Sequence, residues 1–384
     1  MPIVKIAVIS DLHCRLDTDP NDSIQPVGAL RKFEKINPFA SLRTLIAQEG
    51  LTANLLLNPG DFANKARKEG LQEGWTISQL VGGLLGVSAI VPVIGNHDII
   101  SRREGAQHPP FYYVQNLDTN FPFTNADDNA RYFGQGFCTI RTPLAEIIAL
   151  NTVIEHVDEQ SAKRGTFSQA RIADMEQRLG GSLTSPLRIA LMHHHPIVHS
   201  GISTGDNDVL EYGDSLLAAL GRLGCKLVVH GHKHEPRLTR INGITILASG
   251  SFSANLHQFG TSFANTFHII SIDTDAPGDL KGTINTWAFH YGHGWSRAGD
   301  FCGLPYLTGF GNSVPLETVA AALRVLASGP QDRYSAEAVR EACPSLDLLT
   351  PAERDALDEL IRGDRLSLYA RRQGETELYK EFTA

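Results

Sequence analysis

Short apolar runs that end in polar residues recur along the first two thirds of the chain. Five of them read VKIAVISDLH, NLLLNPGD, AIVPVIGNHD, LRIALMHHHP and KLVVHGHKH. Turn residues bound each run, and segments with helical spacing such as GWTISQLVGGLLG lie between them. This pattern is typical of buried strands in an α/β protein. Further strand-like segments follow without helices between them, so we predict a layered α/β fold in which a two-sheet β-sandwich is flanked by helices.

The pattern changes after about residue 300, where helices with clear start signals replace the strands. Thr350 can cap a helix whose first residue is Pro351, Glu353 completes a capping box, and Gly363 can end the helix. This is the most clearly delimited helix in the sequence.

Two further segments of this part, residues 315–328 and 335–343, also have helical spacing. We therefore expect two domains. Residues 1–298 would form the main domain, and residues 299–384 would form a small helical C-terminal appendage that acts as a lid or in oligomerisation.

Composition and charge exclude several classes of protein. The 384 residues have a formal net charge of −8 and contain no apolar run long enough to span a bilayer. A membrane protein is therefore not expected, and a protein that coats nucleic acid is disfavoured.

The first residues lead directly into a strand pattern and lack signal-peptide features. The five cysteines include no C-x-x-C pair. We expect a cytoplasmic protein without disulfides.

Polar residues at the ends of the five runs should converge, because ligands bind at the carboxyl ends of strands in such sheets. They are Asp11, His13, Asp61, Asn64, Asn96, His97, Asp98, His193, His194, His195, His232 and His234.

These residue types indicate a metal site. Histidine, aspartate and asparagine without cysteine suit Mn, Fe, Zn or Ni. The ligands are too many for one ion. Two divalent ions and two aspartates leave a charge that one hydroxide and one phosphodiester would neutralise, as in two-metal phosphoester hydrolysis.

The ordered motifs DLH, GDFAN, GNHD, HHP and GHKH resemble those of the calcineurin-like metallophosphoesterases, over about residues 3–255. The resemblance implies seven metal ligands: Asp11, His13 and His234 on one ion, Asp61 between the two ions, and Asn96, His194 and His232 on the second. His194 is preferred among three adjacent histidines because the family ligand lies two residues before the proline, here Pro196. His193 is the alternative.

The resemblance also implies catalytic roles for the two residues after Asn96. His97 would stabilise or protonate the leaving alkoxide, and Asp98 would hold the imidazole of His97. Gly60, Gly95 and Gly231 would allow the sharp backbone turns that bring the ligands together. A metal-bound hydroxide would then attack phosphorus in line with the leaving oxygen.

The segment 99–130 leaves directly from the GNHD motif and contains Arg102 and Tyr112. These two residues are candidate substrate contacts, with Arg102 binding phosphate and Tyr112 stacking on a base. A long loop that only covers the edge of the sheet is the more common alternative.

The favoured function is hydrolysis of a small phosphodiester such as a nucleotide, a cyclic nucleotide or a glycerophosphodiester, because GDFAN and HHHP resemble the motifs of that bacterial branch. A nuclease acting on DNA or RNA is the alternative, although it would need a positively charged groove. A phosphoprotein phosphatase is disfavoured because Ile99 stands where that branch carries arginine. A metal-binding regulatory module without turnover is disfavoured because every motif is intact. The C-terminal helices could also form a homo-oligomer.

Overall fold

The structure is a computed structural model that describes most of the chain. The described residues are 3–16, 23–28, 34–101, 106–117, 120–156, 158–181, 185, 187–198, 209–256, 263–274, 280–299, 302–370 and 375–380. The strands are β1 (Ile3–Val8), β2 (Leu55–Asn58), β3 (Ala89–Pro92), β4 (Phe137–Arg141), β5 (Glu146–Leu150), β6 (Arg188–Leu191), β7 (Leu227–His230), β8 (Pro236–Ile241), β9 (Ile244–Ser249), β10 (Asn265–Asp273), β11 (Lys281–His290), β12 (Gly294–Arg297), β13 (Leu307–Phe310), β14 (Arg333–Tyr334), β15 (Leu366–Ala370) and β16 (Thr376–Lys380). The helices are α1 (Pro38–Glu49), α2 (Lys68–Leu85), α3 (Tyr112–Gln115), α4 (Ala126–Gly134), α5 (Glu159–Arg164), α6 (Gln169–Leu179), α7 (Gly213–Arg222), α8 (Leu316–Ala327), α9 (Ala336–Ala342) and α10 (Pro351–Arg362).

Two large mixed sheets make up the main part. The first has the order β12-β11-β10-β1-β2-β3, with β13 also paired to β11, and its strands β1, β2 and β3 are parallel. The second has the order β4-β5-β6-β7-β9-β8, and its strands β5, β6, β7 and β9 are parallel. The predicted layered α/β fold with two sheets is confirmed.

Alternate residues of each central strand face different apolar layers. In β1, Ile6 lies in the core between the two sheets, whereas Ala7 packs with residues of α1 and α2. In β5, Ile147 lies in the same central core, whereas Ile148 packs with residues of α6 and α7. The molecule is therefore layered as helix, sheet, sheet, helix. Burial on both faces explains why these strands read as continuous apolar runs.

The segments that leave the central strands are bonded to one another at one edge. After β1 and β2, the backbone N–H of Asp11 donates to the carbonyl of Gly60 (2.9 Å), and that of His13 donates to the carbonyl of Asp61 (2.9 Å). In the second sheet, the N–H of Gly231 after β7 donates to the carbonyl of His193 after β6 (3.1 Å). These bonds fix the motif residues in register.

The three helices predicted in the C-terminal part are present as α8, α9 and α10. Thr350 and Glu353 form the predicted capping box, and Gly363 is the C-terminal cap of α10. The part is not purely helical, however, because β14, β16 and β15 form a three-stranded sheet. Leu366 and Leu378 of that sheet are buried in a core shared with the helices. The alternation of leucine with polar residues in LSLYA was the overlooked signal.

Strand β13 lies beyond residue 298, yet it pairs with β11 in the first sheet. The N–H of Gly309 in β13 also donates to the carbonyl of Leu349, just before α10 (3.2 Å). We propose a domain boundary after Phe310 rather than after residue 298. None of the helices in the described part of the chain is both long and apolar enough to cross a membrane.

Candidate metal centre

The first ligand cluster combines the segment after β1 with the segment after β7. Nε2 of His13 lies 3.0 Å from Nε2 of His234, and Nε2 of His234 lies 3.3 Å from Oδ1 of Asp11. Candidate ligand atoms of these three residues all lie within 4.8 Å of one another. Two imidazole nitrogens and a carboxylate oxygen thus converge at one point, as divalent metal ions require.

A second cluster adjoins the first. Nε2 of His193 lies 3.0 Å from Oδ1 of Asn96, and Nδ1 of His232 lies 3.0 Å from the same oxygen. Oδ2 of Asp61 is 3.3 Å from Nε2 of His193 and 3.6 Å from Nε2 of His13 in the first cluster. Asp61 therefore lies between the two clusters, where a carboxylate could be shared by two ions.

The two candidate histidines after β6 have different surroundings. Nδ1 of His194 is 2.7 Å from Oγ1 of Thr152, and its Nε2 is 2.8 Å from the carbonyl oxygen of Ala162. His194 is close to the second cluster, but protein groups occupy both of its ring nitrogens. Nδ1 of His193 bonds to the carbonyl of Pro59 (2.8 Å), which leaves Nε2 to face Asp61 and Asn96. The geometry favours His193 over the expected His194.

Asp98 has different partners from those expected. Its Oδ2 accepts hydrogen bonds from the backbone N–H groups of Asp61 and Gly95, and its Oδ1 accepts one from that of Ala63, each at 2.9 Å. Among the described residues these donors, and not the imidazole of His97, are the hydrogen-bond partners of the carboxylate. Asp98 therefore joins the segment after β2 to the segment after β3 and fixes the backbone of Asp61.

His97 lies at the edge of the first cluster. Its backbone N–H donates to Oδ1 of Asp61 (2.8 Å), and its ring meets that of His13 edge to face with centroids 4.6 Å apart. Burial lowers the pKa of His97 to about 4, although the charge of Asp61 opposes this shift. A partly exposed imidazole thus lies beside the candidate ligands.

Charges inside the site shift several pKa values. Burial alone would lower the pKa of His193, but the charges of the two nearby aspartates outweigh it and raise that pKa to about 9, so a metal ion would have to displace a proton there. Burial alone would raise the pKa of Asp11, but hydrogen bonds from His13 and His234 outweigh it and hold that pKa well below its usual range. Burial and the nearby histidines lower the pKa of His232 well below its usual value. An ionised carboxylate and a neutral imidazole are the forms that bind metal ions.

The backbone at the ligands is strained. Positive φ angles, from 48° to 80°, occur at Asp11, His13, Asp61, His232 and His234. Residues other than glycine rarely adopt this conformation, and they cluster in it at functional sites, where the surrounding structure compensates for the strain. The strain is therefore independent support for a binding site at these residues.

Gly60, Gly95 and Gly231 serve the site in two ways. Gly60 has a φ of +104°, so it provides the conformational freedom that the sequence analysis expected. Gly95 and Gly231 do not have positive φ angles, and a Cβ atom on Gly95 would collide with the Asp61 carboxylate. A Cβ atom on Gly231 would collide with the Asp11 carboxylate. Crowding, rather than a sharp turn, explains these two glycines.

The two predicted substrate contacts stay predictions. Arg102 lies outside the described residues. Tyr112, at the start of α3, stacks face to face on His108, with centroids 3.9 Å apart and an interplanar angle of 7°. Ser10 was not predicted from the sequence as a site residue, yet its hydroxyl donates to Oδ2 of Asp11 (2.5 Å). A polar residue at the end of an apolar run was the available signal.

Comparison with known proteins agrees with the motif pattern. The family model for calcineurin-like phosphoesterases matches residues 4–236. A protein of Xenorhabdus bovienii described as a probable cyclic nucleotide phosphodiesterase is 24% identical over 163 residues, which cover 42% of this chain and 56% of that protein.

Solved structures with a similar chain path include a purple acid phosphatase from yellow lupin seeds, with 12% identity and a TM-score of 0.45 over 76% of this chain and 52% of that one. Another is GAP50, the anchor in the inner membrane complex of Plasmodium, with 12% identity and a TM-score of 0.41 over 76% of this chain and 86% of that one. The chain spans little more than half of the Xenorhabdus and lupin proteins.

The family match covers more than half of the chain and includes all five motifs, whose side chains form the two clusters. The donor set of aspartate, asparagine and histidine fits the divalent metal ions that this family of hydrolases uses. The chain belongs to the calcineurin-like phosphoesterase family.

Proposed function

We propose that the protein is a dinuclear-metal phosphodiesterase that hydrolyses a small phosphodiester, such as a nucleotide, a cyclic nucleotide or a glycerophosphodiester. One observation carries this proposal: two clusters of ligand atoms lie side by side, and Asp61 contacts a histidine of each, at 3.6 Å and 3.3 Å. A single structural ion would not need two such clusters. Two adjacent ions are the arrangement that phosphoester hydrolases use.

The seven proposed ligands follow from the distances within the clusters. They are Asp11, His13 and His234 for the first ion, Asp61 between the ions, and Asn96, His193 and His232 for the second. Ions bound there would lower the pKa of a bound water and neutralise the phosphoryl oxygens. Manganese, iron, zinc and nickel all suit these ligands. His193 replaces the His194 of the sequence analysis.

The protein groups around the ligands orient them. Asp98 anchors the backbone of Asp61, the carbonyl of Pro59 fixes the ring of His193, and the hydroxyl of Ser10 orients the Asp11 carboxylate. Such supporting bonds set the direction in which each ligand presents its lone pair. Asp98 would therefore support the site by holding the backbone of Asp61 in place.

His97 is the residue that we propose to assist departure of the leaving group. Its backbone is tied to Asp61, and its ring packs against the ring of His13, so it lies within reach of a phosphoryl group held by both clusters. A ring N–H can donate to the oxygen that leaves phosphorus. Alkoxides leave less readily than phenolates, so this help matters most for natural diesters. The probable cyclic nucleotide phosphodiesterase from Xenorhabdus supports a diester substrate.

Hydrolysis of bis(p-nitrophenyl) phosphate and p-nitrophenyl phosphate by metal-stripped protein re-supplied with Mn²⁺ tests the proposal. We expect diester cleavage that requires the metal and falls by at least about a hundredfold in Asp61→Asn. Asp214→Asn is the matched control because Asp214 is exposed on α7 and belongs to neither cluster. This control should retain wild-type activity.

Absence of turnover with Mn²⁺, Zn²⁺, Ni²⁺ or Fe²⁺, in protein that has bound the metal, would contradict the phosphodiesterase. It would favour a selective nuclease or a metal-binding regulatory module. A cytoplasmic location and a homo-oligomer formed through the C-terminal helices stay predictions from the sequence.

A further inference from the structure

A cavity of about 600 Å³ opens directly beside the metal centre, with Asn96 and His97 in its wall. Its volume is in the range of small-molecule binding sites. The proposed reaction accounts for one phosphoryl group at the two clusters. It does not account for this adjoining space, which is large enough for a further part of the substrate.

The wall of the cavity is positively charged. Lys65, Arg67, Lys68 and Lys163 line it, and Glu69 is the one acidic residue among the described lining residues. The chain as a whole has a formal net charge of −8. Four cations around one concave surface of an acidic protein make a local positive potential, which attracts anionic ligands.

The backbone at Lys65 is strained and is hydrogen-bonded to the segment after β3, which contains His97. Lys65 and Ala66 both have a φ of 54°, two consecutive residues in the left-handed region without a glycine. The N–H of Ala66 donates to the carbonyl oxygen of His97 (2.7 Å), which holds the turn against the segment after β3. Strain of this kind is tolerated where a fixed geometry serves binding.

Aromatic rings complete the cavity. His108 and Tyr113 both line it, and their rings meet edge to face with centroids 5.9 Å apart. Rings next to a basic wall suit a ligand that combines a flat base with negative charge, because bases stack on aromatic side chains.

We propose that this cavity binds a second phosphate group of the substrate, and that Lys65 selects for it. The substrate would then be a nucleotide that carries a phosphodiester at the metal centre and a further phosphate on the same molecule. This inference rests on the proposed phosphodiesterase function and names its substrate class.

Two chromogenic substrates with the same scissile bond test the inference. One is the p-nitrophenyl ester of thymidine 5′-phosphate, and the other is the same compound with an added 3′-phosphate. With Mn²⁺-loaded protein we expect kcat/KM to be about fivefold higher for the second compound, as for a partly exposed charge pair. This preference should shrink as the salt concentration rises.

The variants Lys65→Met and Lys65→Arg separate charge from shape. Lys65→Met should bring the ratio of the two kcat/KM values close to one, and Lys65→Arg should retain most of the preference. Lys226→Met is the matched control. Lys226 is exposed and immediately precedes β7, at the opposite end of that strand from the ligands, so its loss should leave the ratio unchanged.

A wild-type ratio near one, or a ratio that Lys65→Met does not change, would overturn the inference while leaving the phosphodiesterase intact. If neither compound is cleaved, calorimetric titration with thymidine 3′,5′-bisphosphate and thymidine 5′-phosphate decides the matter. Tighter binding of the bisphosphate that is lost in Lys65→Met supports the anion site without the reaction. Equal affinities refute it.

Discussion

Replacing His193 and His194 by alanine, one at a time, tests which of two adjacent imidazoles binds metal. Both side chains are fully buried, so each substitution removes the same ring from an equally buried position. The cost of the resulting cavity is therefore similar in the two variants. What differs is the set of partners that each ring loses.

His193→Ala should remove a ligand of the second ion. The ring nitrogen that it deletes lies 3.0 Å from Oδ1 of Asn96 and 3.3 Å from Oδ2 of Asp61. Loss of a supporting residue already weakens metal binding by about 10–100-fold, so loss of a ligand should exceed about a hundredfold. We expect this variant to bind one ion tightly instead of two.

His194→Ala should keep both ions and lose stability instead. It leaves the carbonyl of Ala162 without its bond of 2.8 Å and takes the bond of 2.7 Å from Oγ1 of Thr152, which keeps only the longer bond of 3.4 Å from the backbone N–H of residue 194. Each buried polar group that loses its partner costs about 1–3 kcal/mol, so with the cavity we expect the free energy of unfolding to fall by roughly 3–6 kcal/mol. This is a large part of the stability of a typical domain.

Equilibrium dialysis against Mn²⁺ followed by mass spectrometry of the bound metal, together with urea denaturation, measures both quantities. Thr152→Val is a useful companion, because it removes one partner of His194 without touching either cluster. It should lower stability by about 1–3 kcal/mol and leave two ions bound. A variant pair in which His194→Ala retained one ion and His193→Ala retained two would refute our assignment.

Three further outcomes are expected. His97→Asn should slow hydrolysis of an alkyl phosphodiester at least about tenfold more than hydrolysis of a p-nitrophenyl diester, because p-nitrophenolate is the better leaving group and needs less help. Equal losses for the two substrates in initial-rate assays would contradict this role of His97. Burial lowers the pKa of His268 from 6.5 to about 4. Between pH 6.5 and about pH 4 the unfolded chain therefore binds a proton that the folded protein does not, so the free energy of unfolding falls as the pH drops through this range. Urea denaturation should show about 2 kcal/mol less stability at pH 5 than at pH 7 from this group, and His268→Gln should lack that decrease; an unchanged pH slope would count against it. Gly231→Ala should abolish activity because its Cβ atom would collide with the Asp11 carboxylate. Gly83 in α2 has open space around it, so Gly83→Ala should keep activity and raise the free energy of unfolding by about 1 kcal/mol.

Much of the fold could be predicted because its signals are local. Apolar runs buried on both faces, separated by helical spacing, indicate a layered α/β protein whatever the exact packing. The capping box at Thr350 and Glu353 forms within four consecutive residues, so α10 could be located from the sequence alone. The sheet formed by β14, β16 and β15 was missed for two reasons. The local alternation in LSLYA was overlooked, and β14 has only two residues and a partner that is distant in sequence.

The sequence by itself determined which kinds of ligand the candidate site presents. Five motifs at strand ends specified the kinds of ligand, and the topology of parallel strands requires those ends to meet at one edge. Only the tertiary structure decided which atoms meet. It turned His193 toward Asp61 and His194 toward Thr152. It also directed Asp98 to three backbone N–H groups and placed Lys65 beside the cavity. These choices depend on side-chain directions and on contacts between segments far apart in the chain, which no local pattern encodes.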